Sequence, residues 1–185
     1  MHTATTLLER TTFWPVLQAL TSPGRVFALA NDPAGTPAIL QLLGCLMDRT
    51  TTFATVEGPH LDADIINHTG SHRVPLEEAD YVIAARGRTG GRISFCRRGT
   101  PDNPHRAACV LFLVESLEAT GAHCMLTGPG VRGFTFLGIR GMDLRELHCL
   151  REVNRRPDRG VDALFLDRHN RIACIPSAAR IAASC

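Results

Sequence analysis

The chain has 185 residues, with 20 arginines, no lysine and a formal net charge of +2 at pH 7. Without a lysine amine it can form neither a pyridoxal phosphate Schiff base nor a P-loop, so both enzyme classes are excluded. The mild charge and an aromatic content of 5% disfavour nucleic-acid binding, which typically needs a basic stripe interleaved with aromatic rings.

The length predicts a single domain over residues 1–185, since about 100 to 200 residues per domain is typical. No apolar run reaches the roughly 18 residues that span a bilayer, and the first ten residues lack a signal-peptide pattern. We therefore expect a cytoplasmic protein without a membrane partner. The seven cysteines form no C-x-x-C pair and stand mostly among apolar neighbours, which predicts buried, reduced thiols.

The first half of the chain alternates helix and strand patterns. Thr12 is the expected cap of a helix that stops at Ser22-Pro23-Gly24. Thr36 is the expected cap of a second helix that runs to about Met47. The remaining predictions here are strands at 25–30, 51–56 and 79–85, a helix at 62–68, and a glycine-rich loop at 86–104 with room for one short helix.

The second half is richer in strands, which are predicted at 108–114, 123–127, 134–139, 161–166 and 171–175. The first of these is nearly continuously apolar, as a central strand would be. Asp143 is the expected cap of a helix through about Asn154, and residues 167–170 are expected to turn a hairpin. Because helices lead the first half of the chain and strands fill the second half, we predict an α/β protein with a mixed sheet that is covered by helices.

Two segments carry the residue types of an anion site. A strand that ends in Thr127-Gly128-Pro129-Gly130 exposes backbone amides in a tight turn, which can cradle an anion but also serves as an ordinary strand connection. Arg156, Arg159 and Asp162 lie at the entrance to a buried strand, where guanidinium forks would suit phosphate oxygens. A solvated, charged turn is the alternative explanation of this second segment.

A metal centre and a catalytic centre are both disfavoured. His68 and His72 have the spacing of two ligands on one helix face, but Gly70 and Ser71 disfavour a helix there and no third ligand accompanies them. We expect no metal, with His68 as a hydrogen-bonding residue in a loop and His72 exposed. No G-x-S-x-G elbow or other nucleophile signature is present, so the residues support no catalytic role and no cofactor.

Eight short motifs follow one another along nearly the whole chain. They are FWPVLQALTSPG at 13–24, LLGCLMDRTTT at 42–52, HTG at 68–70, EADY at 78–81, GT at 99–100 with Pro104, LTGPGV at 126–131, RGVD at 159–162 and IP at 175–176. In this order they resemble the PhnH family of the bacterial carbon-phosphorus lyase system. No single stretch is specific, but six or more in the right order make coincidence a poor explanation. The arginine that often follows the last proline is missing, and Arg180 is the candidate to replace it.

The resemblance implies a cytoplasmic, non-catalytic subunit of a transferase complex that converts ATP and methylphosphonate into ribose 1-methylphosphonate 5-triphosphate. It also implies an α/β/α sandwich similar to the large domain of pyridoxal phosphate transferases, without the cofactor. The implied partners are a second copy of the chain and other carbon-phosphorus lyase subunits. Two roles stay open: assembly, or direct binding of the nucleotide or phosphonate through Gly128, Gly130, Arg156 and Arg159.

Overall fold

The computed structural model describes residues 12–118, 124–156 and 159–183. Its α-helices are α1 (Trp14–Thr21), α2 (Ala38–Leu46), α3 (Asp62–Thr69) and α4 (Leu144–Val153). Its strands are β1 (Phe27–Ala28), β2 (Thr52–Val56), β3 (His72–Arg73), β4 (Tyr81–Ala84), β5 (Cys109–Val114), β6 (Ser116–Glu118), β7 (Cys124–Thr127), β8 (Thr135–Arg140), β9 (Asp162–Asp167), β10 (Arg171–Ile175) and β11 (Arg180–Ala183). Short 3-10 helices lie at Pro59–Leu61, Leu76–Glu78, Arg92–Phe95 and Pro104–Arg106.

A seven-stranded mixed sheet in the order β1-β10-β9-β5-β4-β2-β3 forms the centre of the fold. Strand β5 lies in its middle, parallel to β4 and β9, and the rings of Phe112 and Phe165 stack across β5 and β9 at 5.4 Å. Strands β9 and β10 form an antiparallel hairpin with Leu166 opposite Ile172. The predicted central strand, hairpin and mixed sheet are therefore confirmed.

Both faces of the seven-stranded sheet are buried, which explains why β5 is apolar on both sides. Helices α1, α2 and α3 cover one face, where the buried side chains include Val16, Leu42, Ile65, Phe53, Leu111 and Leu164. Helix α4 and a second, antiparallel sheet in the order β11-β7-β8-β6 cover the other face. One outer layer is thus helical, and the other combines a helix with a small sheet.

Two of the three predicted helix caps are wrong. Helix α1 begins at Trp14 without a side-chain cap, and the hydroxyl of buried Thr12 lies 3.5 Å from the side-chain oxygen of Gln41 instead. Helix α2 has Pro37 at its N-cap position in an extended backbone conformation, so Thr36 lies one residue too early to cap it. The third cap is confirmed, because Asp143 Oδ1 accepts a hydrogen bond from the Arg145 amide at 2.9 Å.

Other boundaries shift less. The strand predicted at 25–30 is reduced to the two residues of β1, and the loop at 86–104 contains the short helix Arg92–Phe95. His123, the first residue of the strand predicted at 123–127, lies outside the described residues. Cys185, one of the seven cysteines, lies outside them as well. None of the helices in the described ranges is long and apolar enough to cross a membrane.

Asp167, at the end of β9, joins the two sheets. Its buried carboxylate accepts hydrogen bonds from the amides of Leu117, His169 and Arg171, each at 2.9 Å, and from Arg171 Nε at 2.7 Å. Burial works to raise the pKa of Asp167, but the hydrogen bonds from Arg171 and from the amides of Leu117 and His169 outweigh it, so the pKa is lower than usual. One carboxylate therefore fixes the hairpin turn and the contact between β9 and β6.

Candidate functional site

Four arginines line a cavity of about 810 Å³ at the end of α4. Its described lining residues are Arg98, Gly99, Thr100, Glu152, Val153, Arg155, Arg156 and Arg159. We refer to this cavity as the arginine pocket. It contains Arg156 and Arg159, which the sequence predicts as anion ligands, together with Arg98 and Arg155, which it does not.

The end of α4 is held against the start of β9 by Asn154. Its side chain donates a hydrogen bond to the carbonyl of Val161 and accepts one from the Val161 amide, both at 2.9 Å. A Cβ at Gly160 would lie 2.6 Å from Asn154 Oδ1, so this close approach requires glycine. Arg155 and Arg156 directly follow Asn154 in the chain, and Arg159 lies two residues before Val161, so this contact brings the two described arginine positions next to each other.

A second stretch of the pocket lining, which includes Arg98, is also attached to α4. The buried carboxylate of Glu146 accepts hydrogen bonds from Thr89 Oγ1 at 2.7 Å and from the Gly91 amide at 2.9 Å. These bonds hold the loop that leads to Arg98, whose guanidinium donates to the carbonyl of Ser94 at 3.1 Å. Glu146 and Asn154, at the start and just past the end of α4, thus hold two of the segments that contribute to the pocket lining.

The charge of the pocket lining is strongly positive. Four guanidinium groups line it, and Glu152 is the single carboxylate among the described lining residues. Glu152 lies 3.6 Å from Arg151 Nε and 3.5 Å from Arg155 Nη1. These ion pairs are exposed and therefore weak, so an oxyanion with several negative charges can compete with Glu152 for Arg155.

A smaller cavity of about 290 Å³ adjoins the arginine pocket, since Arg155 lines both. Arg151 and Arg180 line it as well. Arg180 is the candidate to replace the arginine missing after Pro176. It lines the cavity that adjoins the one lined by Arg156 and Arg159.

The glycine turn after β7 lies apart from this pocket. Gly130 lines a different cavity of about 500 Å³, together with Arg25 and Arg132. The amide of Val131 donates to the carbonyl of Gly128 at 3.1 Å, as in an ordinary tight turn. Gly128, at a φ of 122°, faces the backbone of residues 178–180, where strand β11 pairs with β7. The sequence predicts that Gly128, Gly130, Arg156 and Arg159 bind one ligand together. The structure instead separates the two glycines from the arginine pocket that the two arginines line.

Comparison with known proteins identifies the family. Residues 3–182 match the model of a family described as "Bacterial phosphonate metabolism protein (PhnH)". The chain belongs to the PhnH family. It is also similar to HtxG of Stutzerimonas stutzeri, which is provisionally named a C-P lyase subunit protein, with 29% identity over 176 residues that cover 94% of this chain and 85% of HtxG. The resemblance found in the sequence is confirmed.

The other candidate residues of this PhnH-family chain have structural positions. Thr127 is the last residue of β7 and pairs with Arg180 of β11. Asp162, the first residue of β9, accepts a hydrogen bond from the amide of Ser177 at 2.8 Å. Asp162 therefore ties β9 to the segment after β10, and it is not among the described residues that line the arginine pocket.

The helix predicted at 62–68 is confirmed, so the separate expectation that His68 lies in a loop is wrong. His68 belongs to the last turn of α3, because the helix continues through Thr69 and ends at Gly70, whose φ is 73°. His68 and His72 are both exposed, as predicted for His72. In the described part of the chain, no group of three or more histidine, cysteine, aspartate or glutamate side chains is placed to hold a metal ion.

Three of the described cysteines are buried with their thiols free: Cys96, Cys124 and Cys174. Burial raises the pKa of Cys96 and of Cys124 to about 12, which disfavours their thiolate forms at neutral pH. The prediction of buried, reduced thiols is thus confirmed for these three residues.

Proposed function

We propose that this chain is a non-catalytic assembly subunit of a cytoplasmic carbon-phosphorus lyase complex, in which it acts as a single domain. The complex would form ribose 1-methylphosphonate 5-triphosphate from ATP and methylphosphonate. Membership of the PhnH family supports this proposal, as does similarity to HtxG, a protein named as a C-P lyase subunit, over 94% of the chain. The structural observation that carries it is a set of exposed aromatic side chains in two patches.

The first patch lies on α1 and consists of Phe13, Trp14 and Leu17, which are 51%, 58% and 36% exposed. We refer to it as the α1 patch. These residues lie on the outer side of the helix, whereas Val16 and Ala19 are buried against the sheet. Aromatic residues are enriched in the cores of protein interfaces, so the α1 patch has the composition of a subunit contact.

The second patch, the β8 patch, consists of Phe134 and Phe136, which are 60% and 46% exposed. Their rings meet edge to face with centroids 5.4 Å apart. Pro23, which follows α1, lines the same cavity as Phe134, so the β8 patch lies near the C-terminal end of α1. Clustered exposed apolar side chains typically mark an interaction site. We propose that these patches contact a second copy of the chain and other subunits of the complex.

We also propose that the fold is that of a pyridoxal phosphate transferase large domain that has no cofactor. The seven-stranded mixed sheet with helices on both faces supports this origin, although a small second sheet shares one face with α4. The absence of lysine supports a cofactor-free state, because the Schiff base needs that side chain.

Direct binding of a nucleotide or phosphonate is the second candidate function. The arginine pocket favours it, because four guanidinium groups line one cavity of ligand size. The ligand set differs from the one predicted, since Gly128 and Gly130 lie elsewhere and Arg98 and Arg155 take their place.

The assembly role is tested with Trp14→Asp in the α1 patch and Phe134→Asp in the β8 patch, co-expressed with the other subunits. Both side chains are exposed, so we expect the free energy of unfolding to change by less than about 0.5 kcal/mol while co-purification is lost. Phe95, which is 62% exposed and outside both patches, provides the matched control Phe95→Asp. Full assembly by both patch variants, or equal loss in the control, would contradict the proposal.

A further inference from the structure

We infer that the cavity beside the β8 patch receives an acidic segment of a different subunit, in which a carboxylate side chain stands next to an apolar one. We refer to this cavity, which Arg25, Gly130, Arg132 and Phe134 help to line, as the Gly130 cavity. The inference rests on the proposed assembly role, and it specifies the chemistry of the partner that meets the β8 patch.

The Gly130 cavity lies between two segments that pack closely on each other, the one that follows α1 and the one that leads into β8. A Cβ at Gly130 would lie 2.9 Å from Pro23 Cδ and from the carbonyl oxygen of Thr21, so the approach of the two segments requires glycine there. The amide of Gly24 donates to the carbonyl of Cys174 in β10 at 2.9 Å, which ties the first segment to the large sheet. The cavity, of about 500 Å³, is therefore built into the fold and is large enough to admit a projecting side chain.

The charge of the Gly130 cavity calls for an acidic occupant. Arg25 comes from the segment after α1 and Arg132 from the segment before β8, and both side chains are exposed. No carboxylate occurs among the described residues that line the cavity, and neither guanidinium forms an ion pair with a described carboxylate. Ser22 and Thr135 add two hydroxyl groups to the lining. Guanidinium forks and hydroxyl donors together match the two oxygens of a carboxylate.

The aromatic side chains at the cavity favour a polypeptide over a small anion. Phe134 lines the cavity and is 60% exposed, and its ring meets that of Phe136, which is 46% exposed. A small anion bound between the two arginines would leave both rings in water. A protein segment that carries an apolar residue beside its carboxylate covers the rings as well, and aromatic residues with arginine are the side chains enriched at protein interfaces.

The same charges favour a different subunit over a second copy of this chain. A two-fold symmetric interface presents the same surface from both copies, so one centred on the Gly130 cavity would bring Arg25 and Arg132 of the two copies together. Like charges across an interface are unfavourable, and the described lining offers no carboxylate to offset them. We therefore assign the Gly130 cavity and the adjoining β8 patch to a contact between unlike subunits.

The absence of lysine from the chain makes a direct chemical test possible. Arg25→Lys and Arg132→Lys each keep the positive charge and introduce the only lysine, which a water-soluble carbodiimide joins to a carboxylate in contact with it. Each variant is co-expressed with the other carbon-phosphorus lyase subunits, purified and treated with the carbodiimide. We expect mass spectrometry to find the new lysine joined to an aspartate or glutamate of another subunit. Arg92→Lys is the matched control, because Arg92 is exposed and is not among the described residues that line this cavity.

Charge reversal gives an independent readout. Arg25→Glu and Arg132→Glu should each lower the recovery of that subunit at least about tenfold, whereas Arg92→Glu should leave it unchanged. In native mass spectra, the isolated variants should keep the number of copies that the wild type has.

Three results would overturn the inference and leave the assembly role standing: coupling of the new lysine to a second copy alone, equal coupling in the Arg92→Lys control, or full recovery of the partner by both reversed variants. Failure of the wild-type chain to assemble with any of the subunits would overturn the assembly role, and this inference with it.

Discussion

Replacement of Asp167 by asparagine should destabilise the protein strongly, because one carboxylate holds the β9–β10 turn and the contact between the two sheets. In the wild type, Oδ1 accepts from the amides of His169 and Arg171, and Oδ2 accepts from the Leu117 amide and from Arg171 Nε. The asparagine side chain would keep one oxygen for the first pair of donors. Its NH₂ group would then face the second pair, which are also donors, so both of those bonds are lost.

The expected cost follows from these two bonds. Hydrogen bonds that involve a charged group contribute about 1.5–3 kcal/mol each, so the loss of two in Asp167→Asn should lower the free energy of unfolding by about 3–6 kcal/mol. In a domain of this size that corresponds to a fall in Tm of about 10 °C.

The pH dependence of this effect has a definite sign. The pKa of Asp167 is lower in the folded state than in the unfolded state, so the carboxylate stabilises the fold above its ordinary pKa near 3.8. Its contribution is lost as the pH falls through the lowered folded value. The difference between wild type and Asp167→Asn should therefore be largest at neutral pH and shrink in acid.

Urea unfolding followed by circular dichroism, at neutral pH and at several acidic pH values, measures this difference. A loss below about 1 kcal/mol at neutral pH would show that other contacts hold the turn. A difference that does not shrink in acid would also refute the reasoning, because the stabilisation would then not come from the ionised carboxylate.

Three further predictions concern other buried groups. Glu146→Ala should cost about 2–4 kcal/mol in urea unfolding and expose the loop at Thr89 to proteolysis, because two donors lose their acceptor; an unchanged cleavage pattern would contradict it. Gly87→Ala should cost more than about 3 kcal/mol, because φ is 66° and a Cβ would lie 2.3 Å from the carbonyl of Gly141; a stable variant would show that the backbone yields there. Cys124 is buried and its pKa is raised to about 12, so iodoacetamide should label it at neutral pH only after unfolding, as mass spectrometry of its peptide would show. Rapid labelling of the native protein would refute this last prediction.

The regular elements could be predicted because their signals are local. Continuous apolarity identified β5 as a central strand, and Asp143 marked the start of α4 through its own hydrogen bond to the backbone. The caps at Thr12 and Thr36 failed for a physical reason. Thr12 lies close to Gln41, which is 29 residues away, and Pro37 already sets the backbone where α2 begins.

The arginine pocket could be predicted only in part. Arg156 and Arg159 are neighbours in sequence, so their cluster was visible. Arg98 joins them because Glu146 binds a loop that lies 55 residues earlier in the chain, and no local pattern encodes that contact. A charged residue beside the apolar face of α4 is the only sequence signal for Glu146, and the same pattern is typical of a solvated helix edge.

The central claim is that this PhnH-family chain is an assembly subunit. Native mass spectrometry tests it most directly, with the chain measured alone and after co-expression with the other carbon-phosphorus lyase subunits. ATP and methylphosphonate are added to both samples. The account predicts a dimer of the isolated chain that leaves both compounds unchanged, and larger species that contain the partner subunits. A monomer that ignores these partners, or an isolated chain that turns over ATP, would contradict it.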